Sequence, residues 1–398
     1  MKVLWAHDHT FYFNDSGKFF SSGKLPYSVW ERYLTVFDEI TVASRAKKIS
    51  SETEIANKSL SSGKNVEFVV LPSLSNPVNK LTKKGYIERV LTESIAQSDA
   101  VIARLPSEIG SEAVAIAKKL KKPFAVEMVA CAWDALWNYG NLQGKAYAPI
   151  ATLKTKAQVK EAPFAIYVTK QFLQHRYPNT SGYTEGCSDV EIPELCPEVM
   201  ERRLRKIETG AKPVILGLIG NLNGKTKGIA TALEALARVK PKLPAFEFRV
   251  LGGGDKEPWE ELAAKFGLQE HVRFDGVLQS GDAVFEWLDQ VDLYLQPSFQ
   301  EGLPRATVEA MSRGCPVIGS TAGGIPELID PRYLHKPGND KHLARLIEQY
   351  ISDTRWMAEQ AQANYRKAGN YTKNQLDQER QEFWEKFSQF VKEGKTQR

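Results

Sequence analysis

The 398-residue chain lacks any uninterrupted run of 18 or more apolar residues, so no segment reads as a membrane-spanning helix. Its opening, MKVLWAHDHT, has no apolar core of signal-peptide type and reads instead as a first strand. Cysteine is scarce: Cys131, Cys187, Cys196 and Cys315 show no CxxC spacing and no histidine at ligand distance. Neither a zinc knuckle nor a disulfide framework is indicated, and a reducing cytoplasm is the expected compartment. Internal repeats and low-complexity tracts are absent. The basic runs are not interleaved with stacking aromatics, which argues against a nucleic-acid partner.

What is present describes a soluble globular protein: 42% hydrophobic residues, 25% charged, and a mean hydropathy of −0.37. The length exceeds one ordinary core and suits two domains, which implies a cleft between them. The net charge of +5 is uneven, with 24 Lys+Arg against 17 Asp+Glu before residue 189 and 29 against 31 from there on. Lysines of the positive half cluster in AKKLKKPF and LKTKAQVK, either as solvated helix faces or as contacts for an anionic membrane or acidic acceptor.

Short apolar runs alternate with longer helical patterns. KVLWAH, EITVASR, VEFVVLP, AVIARLP, FAVEMVA and AIYVT read as buried strands of a parallel sheet. The pattern stops in TEGCSDVEIPELCPEVMERRL and restarts with KPVILGLIG, FEFRVLGGG, VRFDG, DLYLQPS and CPVIGS. The expected fold class is therefore α/β: two Rossmann-like, doubly wound parallel-sheet domains facing across a cleft. Residues 1–188 form the first and 189–370 the second, with 189 to about 210 as a linker. Residues 371–398 read as a long amphipathic helix, capped by Thr372, with a stripe of Leu376, Phe383, Trp384, Phe387 and Phe390 that has something to cover.

SFQEGLPRATVEAM, residues 298–311, places Glu301 and Glu309 across a strand-to-helix turn. Pro304 suits a helix start, Gly314 suits its end, and Gly302 permits close approach of an anion to the main chain. A helix N-terminus at the carboxyl end of a parallel strand favours phosphate. Glu301 then points toward the ligand, and Glu309 can accept two hydrogen bonds from ribose hydroxyls. A bland alternative, a solvated loop carboxylate and a locally paired helix carboxylate, fits the spacing alone. The next segment, CPVIGSTAGGIPELI, repeats the arrangement with a Gly-Gly loop and a helix start at Pro326, and two such loops side by side make a site.

QEGLPRATVEAMSRGCPVIGSTAGGIPELI resembles the donor-binding stretch of the family 4 retaining glycosyltransferases of the GT-B fold, whose motif is a glutamate pair with seven residues between. The likeness extends in order through VILGLIGNLNGKTKG, FRVLGGGD and VRFDGVL. In the first half, SSGKLPYSVWERYL, ARLPSEIG and VEMVACAWDALW are similar to enzymes that build bacterial capsular, exopolysaccharide or O-antigen chains. The resemblance implies a metal-independent, hexosyltransferase-type enzyme without a cofactor. It would move a sugar from a nucleotide-diphosphate sugar to a glycan or lipid-linked glycan acceptor, in the cytoplasm or peripherally at the inner membrane face. Glu301 would lie at the donor sugar and Lys227 at the diphosphate, these two being the catalytic pair. Glu309 would hold the ribose, the main chain of Gly302, Leu303 and Pro304 the sugar and diphosphate, and Gly276, Val277 and Leu278 the base, and the helix from residue 371 would pack back on the first domain.

Two departures from the family pattern matter. Many members carry an arginine where Asn221 follows Gly220, and one extra residue precedes Lys227, so whether Arg305 or Lys225 supplies the missing cation stays open. Many also carry a functional histidine where FAVEMVACAWD offers Glu127 or Asp134. His7, Asp8 and His9, just after the first strand, read as loop polar residues, contacts for sugar hydroxyls, or an incomplete metal pair. Gly23, Lys24, Tyr27 and Arg104 complete the acceptor-side candidates. GNLNGKT misses phosphate-loop spacing, because the required first glycine falls on Ile219, and LGGGD lacks the third glycine of a dinucleotide fold. A non-catalytic nucleotide-sugar-binding protein and a nucleotide-sugar epimerase of the same architecture are the competing readings.

Overall fold

The computed structural model describes residues 1–22, 25–56, 58–73, 82–138, 142–210 and 212–396. They fall into two compact units, residues 1–187 with 377–398, and residues 188–376.

The first unit is built on a sheet of nine strands among the described residues. Seven run parallel in the order β5 (Val66–Val70), β3 (Glu39–Lys48), β1 (Lys2–Phe13), β6 (Ala100–Leu105), β7 (Phe124–Met128), β8 (Phe164–Tyr167) and β9 (Tyr183–Gly186). β2 (Phe19–Ser21) pairs antiparallel with both the far end of β1 and β4 (Ser59–Leu60). The central strands read as unbroken apolar runs because both their faces are covered. Leu4, Val101, Val126 and Tyr167 are buried from strands, together with Ile109 and Val114 from the crossover helix Glu108–Lys119. Ser107 caps that helix, its side chain accepting the Gly110 N–H at 2.9 Å.

The strand signal of KVLWAH continues further than expected. HDHTFYF stays extended as the second half of β1, with a register irregularity against β3 between Ala6 and Thr10. His7, Asp8 and His9 therefore lie in a bulged strand and not in the loop after it. A bulge re-aims side chains without ending the pairing. The C-terminal helix Lys373–Thr396 lays Phe383 and Phe387 against Phe164, and Trp384 against Tyr33 and Phe37. Leu376, Phe383, Trp384, Phe387 and Val391 are fully or almost fully buried, while Phe390 sits at the rim of the stripe, 40% exposed.

Among the described residues the second unit carries six parallel strands in the order β12 (Val272–Gly276), β11 (Phe246–Leu251), β10 (Val214–Ile219), β13 (Leu293–Gln296), β14 (Val317–Ser320) and β15 (Leu334–His335). Chain order reverses between β10 and β13, so the loops that leave these two strands diverge and open a crevice at their carboxyl ends. The segment expected as a linker contains a helix, Pro197–Thr209. Proline opens it, Glu198 lies in its first turn, and Gly210 closes it at φ +60°. Arg203 from this helix is buried and donates to the carbonyls of Leu288, Val291 and Arg313. The proline and charge of this segment disguised a helix that buries Val199 and Ile207 beside the Arg203 guanidinium.

His335 on β15 is buried, its Nε2 without a partner among the described residues and its Nδ1 on the Lys336 carbonyl at 2.8 Å. Burial lowers its pKa from 6.5 to about 4. The unfolded chain takes up this proton at the higher value, so the stability is fully present above 6.5 and is lost as pH falls toward 4. A loss on the order of 3 kcal/mol is expected over that window. Urea midpoints at neutral and acid pH test it: His335→Gln should flatten the difference, and an equal drop in the variant would refute the assignment.

Candidate functional site

The loop after β10 runs from Gly220 to Gly228 and feeds the helix Ile229–Val239. The loop after β13 runs to Pro304, the N-cap of the helix Arg305–Ser312, and the loop after β14 leads to the short helix Ile325–Leu328. Three hydrogen bonds clasp them: Phe299 N–H to the Thr226 carbonyl at 2.8 Å, the Ser320 hydroxyl to the Ser298 carbonyl at 2.6 Å, and Gly324 N–H to the Gly302 carbonyl at 2.7 Å. Gly323 has φ +57°, and a Cβ there would lie 1.9 Å from the Glu301 carbonyl oxygen, so this junction admits no other side chain.

Glu301 and Lys227 meet at the centre of this clasp. Glu301 Oε1 accepts from Lys227 Nζ at 2.7 Å, Gln296 Nε2 at 3.0 Å and the Ser298 hydroxyl at 2.8 Å. Gln296 is itself oriented from behind, because its Oε1 accepts from the Thr307 hydroxyl at 2.9 Å and the Tyr294 hydroxyl at 3.1 Å. Tyr294 in turn accepts the Ile219 N–H at 3.2 Å. With both hydroxyls facing the amide oxygen, the amide nitrogen faces Glu301. The carboxylate is thus held by a buried chain that begins at the end of β10. The stem of Lys227 packs over Gly220, where a Cβ would lie 2.6 Å from Lys227 Cγ.

Glu309 stands in the opposite condition. It lies on the helix Arg305–Ser312, and among the described residues nothing donates to its carboxylate. Desolvation raises its pKa above 4.5, opposed by the charge of Arg305. One glutamate has three protein donors on one of its oxygens and the other has none among the described residues. Arg305 and Lys225 are both exposed, and neither forms an ion pair among the described residues. Asn221 turns its side-chain oxygen back on its own loop, accepting the Asn223 N–H at 2.7 Å. Pro304 has no N–H, so main-chain donors at this turn come from Gly302 and Leu303, then Arg305 and Ala306. Gly276, at φ +73°, gives its carbonyl to Gly252 N–H at 2.7 Å, and Val277 beyond it is 74% exposed.

In the first unit the candidates separate. Arg104 and Glu127 are register neighbours on β6 and β7, and Glu127 accepts from the Tyr33 hydroxyl at 2.6 Å. Burial, then the Glu127 charge, holds the Tyr33 phenol well above its usual range, so it stays a donor. Tyr33 was not picked out by sequence reasoning, since an aromatic on a helix reads first as core. His9 Nε2 lies 3.0 Å from the Ser21 hydroxyl, and the Asp8 carboxylate accepts Glu108 N–H at 2.6 Å and Ile109 N–H at 3.2 Å, occupying that helix N-terminus. Asp134 pairs with Arg176 at 3.1 Å, and Tyr27 packs on Gly63 and donates to the Lys64 carbonyl at 3.0 Å. These last two are engaged locally and apart from the Arg104–Glu127 pair. Gly23 and Lys24 lie outside the described residues.

Residues 213–353, which carry the clasped loops, match the family model described as glycosyl transferases group 1. Protein CapJ of Staphylococcus aureus is 33% identical over 382 residues, covering 96% of this chain and 94% of that protein. The amylovoran biosynthesis glycosyltransferase AmsK of Erwinia amylovora is 32% identical over 161 residues, 38% of this chain and 39% of that one. Among solved structures, Anabaena Alr3699/HepE in complex with UDP superposes with a TM-score of 0.64 at 17% identity, over 98% of this chain and 100% of that one. At that identity the match shows the fold alone, and the fold is GT-B. With a relative spanning nearly its whole length and the family model lying over the Lys227–Glu301 loops, the chain belongs to the group 1 glycosyl transferases.

Proposed function

We propose that this glycosyltransferase moves a hexosyl group from a nucleotide-diphosphate sugar to a glycan or lipid-linked glycan acceptor, with retention at the anomeric carbon, in bacterial surface polysaccharide synthesis. The observation that carries the reading is the Lys227–Glu301 pair at the strand-order reversal, with the unpartnered Glu309 on the adjoining helix. The UDP named in the HepE structure and the amylovoran named for AmsK point the same way.

Departure of the leaving group puts negative charge on the diphosphate. Lys227, with the main-chain donors of the turn, offsets that charge without a divalent ion. Glu301 already carries three donors on one oxygen, which draws charge from the carboxylate and makes it a weak nucleophile. It serves to position the sugar and stabilise positive charge at the anomeric carbon, and the departing phosphate takes the acceptor proton in a same-face reaction. Arg305, exposed at the start of its helix, supplies the cation that Asn221 does not. Glu127 and Arg104, with His9, hold acceptor groups in the first unit, which works at the cytoplasmic face of an anionic membrane.

Thermal shift against UDP, GDP, ADP and CMP sugars tests the donor reading, and the absence of stabilisation by any of them at saturation would sink it. An inverted product in an anomeric NMR assay, or activity abolished by chelator alone, would overturn the mechanism. Glu309 accepts from two ribose hydroxyls at once, one on each oxygen and with charge assistance, only when ionised. Donor affinity is therefore expected to hold at neutral pH and weaken as pH falls through its raised pKa. Glu309→Gln should weaken binding and remove the pH step; a step that survives in the variant would assign the ribose contact elsewhere.

A further inference from the structure

The helix Leu142–Lys160 is apolar on two faces. Ala148, Thr155 and Val159 turn into the first unit's core. On the outward side Leu142, Ile150 and Leu153 are 85%, 59% and 68% exposed, and the intervening spacing places them on one stripe. A helix that satisfies its own core with one face has no folding reason to carry large aliphatics on the other. Lys145 and Lys156 flank this stripe and are exposed, and Lys145 Nζ also lies 5.6 Å from the ring of Trp137, itself 44% exposed. From residue 135 to 160 the chain has four lysines and no Asp or Glu, and of the four Lys154 pairs with Glu108 at 3.3 Å.

The other lysine cluster contrasts with this one. Lys118 pairs with Glu161, and Lys122 donates to the carbonyls of Ala96 and Ser98, beside a groove of about 450 Å³ that Asp99 also lines. Those cations serve the fold. The outward face of Leu142–Lys160 instead combines exposed aliphatics, an exposed tryptophan and two lysines, Lys145 and Lys156, that form no ion pair among the described residues, the composition of a helix lying in an anionic lipid interface.

We infer that the outward face of the helix Leu142–Lys160, with Trp137, docks the enzyme on an anionic lipid bilayer by inserting Leu142, Ile150 and Leu153 among the acyl chains while Lys145 and Lys156 meet the headgroups. The inference rests on the reading that the acceptor is handled at a membrane, and it specifies the surface that does so. Charge complementarity favours lipid over a second copy of the chain, whose face would be equally positive.

Co-sedimentation of the full chain with phosphatidylcholine vesicles, with and without a minority of phosphatidylglycerol, is the test. The wild type should sediment with the anionic vesicles, less at high salt, and little with phosphatidylcholine alone. Ile150→Glu combined with Leu153→Glu should reduce vesicle affinity roughly tenfold or more, and Lys145→Gln with Lys156→Gln should also reduce it and weaken its salt dependence. The lysine pair keeps the test decisive if the glutamate pair fails to fold. Wild-type indifference to anionic vesicles, or undiminished binding by folded variants, would overturn the proposal. So would a dimer in gel filtration that the glutamate pair converts to monomer, which would give the face to a second copy. Donor-panel thermal shift on the same samples separates the two readings: vesicle binding without donor stabilisation removes the proposed function and leaves the docking face, and the converse removes only the docking face.

Discussion

Glu301→Ala is expected to lose transfer, by on the order of a hundred- to thousandfold in kcat, while nucleotide binding persists. The carboxylate is the meeting point of Lys227, Gln296 and Ser298, and its removal leaves these donors without their shared acceptor. Lys227 is then released from its partner. A nucleoside diphosphate no longer competes with Glu301 for the ammonium, so its affinity should stay level or rise a few-fold. Calorimetric titration with the nucleotide that the donor panel identifies, beside a transfer assay, reads both quantities. Weakened nucleotide binding with transfer retained would reverse the assigned roles. Glu301→Gln separates charge from position, because its amide oxygen can still accept from Gln296 but cannot offset positive charge at the sugar. A glutamine variant with full activity would leave Glu301 as a spacer alone.

Lys227→Ala is expected to weaken binding of the diphosphate and depress transfer further still. A hydrogen bond to a charged group is worth roughly 1.5–3 kcal/mol, which is about ten- to a hundredfold in affinity. The effect on kcat/KM should exceed this, since negative charge on the diphosphate grows as the glycosidic bond breaks. Glu301 would keep Gln296 and Ser298, so the loop should hold its shape and the unfolding midpoint should change little. Lys227→Arg should recover only part of the loss, because a planar guanidinium replaces a compact ammonium that meets Glu301 Oε1 at 2.7 Å. Full rescue by arginine would show that only the charge matters there. Equal affinities of wild type and Lys227→Ala for the diphosphate would place the grip elsewhere, with Arg305 and Lys225 as the next positions to substitute.

Much of this was open to reading in the chain. DLYLQPS and CPVIGS announce buried parallel strands through their apolar composition, and Pro304, Gly314 and Pro326 mark where the helices start and stop. A helix such as Pro197–Thr209 is harder to see, because PEVMERRLRKIET buries little apolar surface and depends on Arg203 reaching three carbonyls more than 80 residues away in sequence. The extension of β1 through HDHTFYF was hidden for a related reason: polar residues in a bulge look like a loop until the partner strand is known to run alongside. Gln296 and Tyr294 carried a weak signal as polar groups in an otherwise apolar strand. Their role emerged only when Thr307 and Glu301 were found at the two ends of the Gln296 amide.

The sequence by itself determined the class of fold, the order of the strands along the chain and the local start of each site helix, because these follow from periodicity, glycine and proline within a few residues. It also brought forward Glu301, Glu309 and Lys227 as candidates. Only the tertiary structure decided what distinguishes them. Glu301 is held because three donors, from the end of β13 and from two loops, converge on one oxygen, and Glu309 remains open because its helix turns it into a desolvated place where, among the described residues, no group donates to it. The same holds for the lysines: AKKLKKPF and LKTKAQVK look alike as strings. Packing pairs Lys118 with Glu161, gives Lys122 to backbone carbonyls and pairs Lys154 with Glu108, while Lys156, with Lys145 one stretch earlier on the same helix, flanks exposed aliphatics on its outward face. Charge and spacing are properties of the chain, but which groups find partners depends on which elements the fold packs side by side.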